Sequence, residues 1–79
     1  MRIGTVERII GPVIDVRFPD VDLPPILNAL TIKGNQKILV VEVQEHLDRE
    51  MTRCIAMGPT TGLRRNMEAL DTGEPITVP

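Results

Sequence analysis

A chain of 79 residues has room for one small domain, and a net charge of −2 with a pI near 5.2 lacks the basic surplus of a dedicated nucleic-acid binder. An apolar share of 42% and a charged share of 25% are ordinary for a globular protein, and no apolar run is long enough to cross a bilayer as a helix. The opening Met1-Arg2-Ile3-Gly4-Thr5 has neither the apolar stretch of a secretory signal nor the Arg/Ser bias of a transit peptide, which suits a cytosolic or organelle-interior protein.

The apolar residues recur with a period of two. Residues 2–10, carrying Ile3, Val6, Ile9 and Ile10, read as a strand from β-branched content rather than from clean alternation. Gly11-Pro12 breaks the ladder, because proline has no amide to donate. In 13–18 the alternation is plain: Ile14, Val16 and Phe18 face one way, Asp15 and Arg17 the other. Pro19, Pro24 and Pro25 mark a longer loop, and a third strand at 27–33 runs to Gly34-Asn35, a two-residue hairpin signal. The fourth strand, 37–44, sets Leu39, Val41 and Val43 on a core face. Ile38 and Val40 add apolar surface on the opposite, outward face. His46 follows in a charged loop. A fifth strand at 51–57 holds the single cysteine, Cys54, which reads as a small buried hydrophobe without a base or cation to activate it. Gly58-Pro59-Thr60-Thr61-Gly62 is a turn, Leu63 to Ala69 has room for a short helical turn, and Asp71-Thr72-Gly73-Glu74 is a second turn. The sixth strand is expected at 75–78.

Six short strands punctuated by turns predict an all-β fold, and in so short a chain a small closed six-stranded antiparallel barrel, since closure removes exposed sheet edges. The strand-like run Pro75-Ile76-Thr77-Val78-Pro79 has no frayed polar tail, which suggests a longer polypeptide.

Little in this pattern carries chemistry. A phosphate loop needs GxxxxGK[ST]; Gly58 to Arg65 has the wrong spacing, no lysine, and a proline where an amide is wanted. The chain contains no serine, so a Ser/His/Asp arrangement is excluded. The carboxylates Asp20, Asp22, Glu45, Asp48, Glu50, Glu68, Asp71 and Glu74 scatter over loops and solvent faces with no spacing that demands a pair. Met51, Met57 and Met67 read as gap-filling core beside the initiator Met1. Barrels that bind single-stranded nucleic acid stack bases on aromatic side chains, and Phe18, the one aromatic residue, points inward; Arg64-Arg65 reads as a solvated or interface turn. From the residues alone the chain is a small barrel serving as an interaction module. An oligonucleotide-binding barrel is the competing reading, opposed by the single aromatic and the acidic pI.

The block Ile10-Gly11-Pro12-Val13-Ile14-Asp15-Val16-Arg17-Phe18 resembles the opening strand pair of the beta subunits of F-type ATP synthases. Leu39-Val40-Val41-Glu42-Val43-Gln44-Glu45-His46-Leu47 is similar to that family's next strand and loop. Arg53-Cys54-Ile55-Ala56-Met57-Gly58-Pro59-Thr60-Thr61-Gly62-Leu63 resembles the stretch beyond, and Asp71 to Pro79 the segment leading into the nucleotide-binding domain. Alpha subunits and related rotary or export ATPases share the barrel, but the Gly11–Phe18 block looks like the beta form. Asn66 stands where the family commonly has glycine, and asparagine keeps positive φ accessible.

The resemblance implies that residues 1–79 are the N-terminal barrel, or crown, domain of a longer catalytic subunit. The nucleotide-binding and C-terminal helical domains would lie beyond Pro79. It implies barrels alternating with those of the alpha subunit in a hexameric ring at the membrane-distal end of the head, touching the rest of the synthase indirectly. The parent complex would make ATP from ADP and phosphate, with Mg²⁺, driven by a proton gradient. The phosphate loop, catalytic glutamate and metal ligands belong to the later domain, so no catalytic, cofactor-binding or metal residue is carried onto this chain. The implied location is peripheral, on the cytoplasmic face of a bacterial inner membrane or its matrix or stroma equivalent, without direct membrane contact and without nucleic acid. The barrel's expected role is a collar, with Ile38 and Val40 as candidate inter-barrel residues.

Overall fold

Alternating apolar side chains need a common interior, and six strands curled on themselves provide it. The computed structural model describes residues 2–19, 21–34 and 37–76. Its strands are β1 (Ile3–Ile10), β2 (Val13–Arg17), β3 (Asn28–Lys33), β4 (Ile38–His46), β5 (Met51–Ala56) and β6 (Glu68–Pro75). They pair antiparallel throughout, in the closed order β1-β2-β5-β4-β3-β6. The expected barrel is therefore the observed one.

Every strand contributes to one core: Val6 from β1, Ile14 and Val16 from β2, Leu30 and Ile32 from β3, Val41 and Val43 from β4, Cys54 from β5 and Ala69 from β6. Phe18, just past β2, is fully buried and fills the largest share of the interior. Its ring lies where a Cβ on Gly4 would stand, 2.8 Å from Phe18 Cε1 and from the Arg17 carbonyl, so β1 passes this point only with a glycine. The buried Thr52 hydroxyl donates to the Val16 carbonyl at 3.1 Å, and among the described residues no buried side-chain polar atom lacks a partner.

The weak alternation in β1 has a cause. Val6 pairs with Val16 but Arg8 pairs with Asp15, so one extra residue sits on β1 as a bulge. The inward face then switches from Gly4 and Val6 to Ile9, which packs against the core. A second bulge between Val43 and Glu45 does the same to β4, which runs to His46 rather than ending at 44. β3 and β4 do form a hairpin, but Lys33 opposes Ile38 and the Gly34 amide donates to the Lys37 carbonyl at 2.8 Å, so Gly34 extends the ladder instead of opening the expected two-residue turn. The second residue of its expected turn, Asn35, lies outside the described residues.

The sixth strand is displaced from its expected place. It occupies Glu68–Pro75, not 75–78, and residues 77–79 lie outside the described residues. The expected helical turn over Leu63 to Ala69 is replaced by tight turns and the start of β6, with Asn66 at φ +73°. Asp71-Thr72-Gly73-Glu74 does carry turn chemistry, but within a strand. Leu30 pairs with Asp71 while Asn28 pairs with Pro75, so β6 carries extra residues between these points, and Gly73 takes φ +85° there. The Thr72 hydroxyl donates to the Ala29 carbonyl at 2.7 Å and bridges the irregularity. Asp71, expected on a solvent face, is 4% exposed and points into the seam between β1, β6 and β3. A buried carboxylate at an inward position hid this strand from hydrophobic periodicity.

Candidate interface

The barrel's outer surface divides by chemistry. Across β1, β2 and β5 the outward residues form ion pairs. Arg17 Nε donates to Glu7 Oε1 at 2.7 Å and its Nη1 to Glu50 Oε1 at 3.1 Å, while Arg65 Nη2 reaches Glu7 Oε2 at 3.1 Å. The Arg17 and Arg65 guanidiniums hold the Glu7 carboxyl below the usual carboxylate range. Arg53 grips Asp15 with two bonds, at 2.9 and 3.1 Å, from the directly opposed register position, and Arg8 lies 3.4 Å away on the other side. Asp15 thus faces outward, as its alternation requires, yet is only 4% exposed because the guanidiniums cover it.

The start of β4 presents the opposite character, before Glu42 and Gln44 return its outward face to polar groups. Ile38 is 64% exposed, and Val40, half-buried, shares its outward face; Val41 and Val43 lie fully in the core, with Leu39 packed against it. The Val40 carbonyl accepts the Met57 amide at 2.8 Å, so the segment after β5 runs beside β4. Between the β3–β4 hairpin and residues 58–63 lies an open groove of about 470 Å³, lined by Ile38, Leu39, Val40, Pro59, Leu63 and Met67 among others. Met57, read from sequence as core filling, is instead 49% exposed, whereas Met67 packs on the core as expected. Strand periodicity finds Ile38 and Val40; it cannot find Met57, which follows β5 where alternation no longer holds.

The remaining candidates resolve into structural parts. Cys54 is fully buried, 3.6 Å from the Thr52 hydroxyl, and burial pushes its thiol up to about 11, against nucleophilic use. His46 ends β4 rather than lying in a loop, and its Nε2 sits 2.7 Å from the Pro24 carbonyl, tethering the proline loop. Residues 58–62 form a turn closed by the Leu63 amide on the Thr60 carbonyl at 2.9 Å, with no helix following among the described residues. Those residues also hold no group of three or more His, Cys, Asp or Glu side chains placed for a metal ion.

The start of β4 thus sets apolar side chains beside a groove, while Glu7, Asp15, Arg17, Arg53 and Arg65 are paired with one another. Residues 6–73 match the family model described as the ATP synthase alpha/beta family, beta-barrel domain. The chain belongs to that family. The match covers β2 to β5 entirely and β1 and β6 in large part, so the ATP synthase family barrel and the closed six-stranded barrel described above are the same unit. Asn66, the departure noted where glycine is common, takes the left-handed backbone that such a position asks for.

Proposed function

We propose that this family barrel is the N-terminal assembly module of a beta, catalytic, subunit. In that reading it alternates with alpha-subunit barrels in a ring that holds the catalytic hexamer together. The observation that carries the reading is Ile38, an aliphatic side chain 64% exposed on an outward strand face beside an apolar groove. Among the described residues Ile38 is the most exposed of the large apolar side chains, and with Val40 and the groove it forms a patch that a neighbouring barrel would bury at about 25 cal/mol per Å² of apolar area. The beta rather than alpha assignment is supported by the block from Gly11 to Phe18.

The barrel itself is non-catalytic in this reading. ATP, ADP and Mg²⁺ belong to the nucleotide-binding domain of the longer subunit, and proton-driven ATP synthesis to the whole complex. The barrel's contribution is mechanical: a ring of them resists splaying while the domains attached to it open and close. Its place is peripheral and membrane-distal.

Replacing Ile38 and Val40 together by glutamate in the full subunit tests the interface. Loss of the hexamer in sedimentation velocity, with the strand signature of the barrel retained in circular dichroism, is expected; a hexamer that assembles normally sinks the idea. Reading the source gene past the Pro79 codon tests the parent independently. An open frame encoding GxxxxGK[ST] is expected, and an immediate stop codon removes the parent assignment.

A further inference from the structure

We infer that the barrel has a built-in opening point, the β1–β6 seam, and that the Asp71 carboxylate is the acid-sensitive latch that keeps it closed. This rests on the geometry of the seam and is independent of the assembly reading.

β1 and β6 share the shortest ladder in the barrel: Ile3 with Leu70, Gly4 with Ala69 and Thr5 with Glu68. Backbone bonds flank it, from the Asp71 amide to the Arg2 carbonyl at 2.9 Å at one end, and at the other between Val6 and Met67 and between Asn66 and Val6, each at 2.8 Å. The remainder of β1, from Arg8 to Ile10, has register partners only on β2. β6, by contrast, is tied to β3 over a longer reach that includes the Thr72 bridge.

One side chain locks this short ladder to both neighbours. Asp71 Oδ2 accepts from Arg2 Nη1 at 2.7 Å, and Oδ1 accepts from Asn28 Nδ2 at 3.1 Å and from the Gly73 amide at 2.9 Å. Its side chain is 2% exposed and that of Arg2 37%, so the carboxylate end of these bonds is shielded from water. The other end of the seam is held by Arg65 on Glu7, a pair whose arginine is 68% exposed and which solvent and salt weaken. The two clasps are therefore unequal, and the buried one governs.

Ionised, the carboxylate accepts all three bonds and balances the Arg2 charge; a proton on Oδ2 leaves Oδ1 to Asn28 and Gly73 but sets a neutral O–H donor against the guanidinium. Burial pushes the Asp71 carboxyl up, but the Gly73 amide, Arg2 and Asn28 together outweigh it and hold the group below the usual carboxylate range. The groups that face it are Arg2, immediately before β1, the neutral Asn28 from β3 and the Gly73 amide of β6 itself. Among the described residues Arg2 is the one charged side chain set against it. The latch is closed at neutral pH. As pH falls through the lowered value the proton displaces an acceptor site, the Arg2 guanidinium loses its partner, and β1 parts from β6 while β6 stays on β3. The product is an open six-stranded sheet with two new edges.

Amide hydrogen exchange of the 79-residue chain, expressed as protection relative to free peptide, tests this. The Asp71, Val6 and Asn66 amides report the seam, and the Phe18 and Ala56 amides, bonded to Glu50 and Pro12, report the far side. In Asp71→Asn the seam amides are expected to lose at least tenfold in protection with the far side unchanged. Equal loss at both sets, or no loss, overturns the proposal. The unsubstituted chain supplies an arm that needs no variant: on acidification the seam amides should lose protection before the far-side amides, and simultaneous loss overturns the latch.

Discussion

Gly4 and Phe18 show how closely a small barrel is packed at the level of single residues. A methyl group at Gly4 would stand 2.8 Å from the Phe18 ring and from the Arg17 carbonyl, distances that a Cβ does not adopt without displacement. Gly4→Ala is expected to cost about 1–3 kcal/mol, the range for overpacking a filled core. Urea denaturation measures it, and an unchanged midpoint would mean that the ring yields freely. Cys54 acts at the other end of the pH scale. Desolvation raises its thiol from 9.0 to about 11, with the Thr52 hydroxyl pulling weakly the other way and the Asp15 charge adding to the rise. The folded state therefore binds a proton that the unfolded state has released, and stability is intact below 9.0 and falls as pH rises toward about 11, by roughly 1.4 kcal/mol per pH unit across that window. Denaturation midpoints followed through this window should decline in the native chain and decline less steeply in Cys54→Ala.

At the scale of elements, turns and bulges decide where strands begin and end. Asn66, at φ +73°, reverses the chain into β6. Asn66→Gly should leave stability within about 0.5 kcal/mol, whereas Asn66→Val, β-branched in a left-handed conformation, should lose about 1–2 kcal/mol. Gly73 sits at φ +85° in the β6 irregularity with open space around its missing Cβ, so Gly73→Ala isolates the conformational cost. About 1 kcal/mol or more is expected in thermal denaturation, and no loss would mean that β6 adopts another bulge. The outward-facing strand positions that periodicity placed correctly, in β2 and β4, are those without a bulge between them. β1 was only weakly legible because Glu7 interrupts its phase. β6 was misplaced because Ala69 and Asp71, not β-branched residues, occupy its inward positions, and because the Asp71-Thr72-Gly73 turn signal arises inside the strand.

For the molecule as a whole, closure and surface character are separable properties. Closure depends on the ladders and on the buried polar groups at the β1–β6–β3 seam; the apolar outer patch around Ile38 contributes little to it, since that side chain is largely in solvent. Ile38→Glu in the isolated chain should shift stability by less than about 0.5 kcal/mol, as surface substitutions do. A larger loss in a denaturation curve would make Ile38 part of the fold rather than part of an interface. The same substitution combined with Val40→Glu in the full subunit reads assembly instead, so the two measurements divide folding from association.

The all-β class, the barrel, the core face of β2 and β4, and the outward placement of Ile38 and Val40 are legible in the order of residues. Each follows from alternation and turn chemistry, which act over a few residues and so are written locally. The place of β6, the burial of Asp15 and Asp71, the exposure of Met57 and the groove beside β4 emerge once the strands are assembled. Those depend on partners far apart in the chain: Arg53 over Asp15, and Arg2 and Asn28 on Asp71. A carboxylate reads as solvent-facing in sequence because its desolvation is unfavourable alone; it becomes an interior residue when closure of the barrel brings its cation and its amides to it.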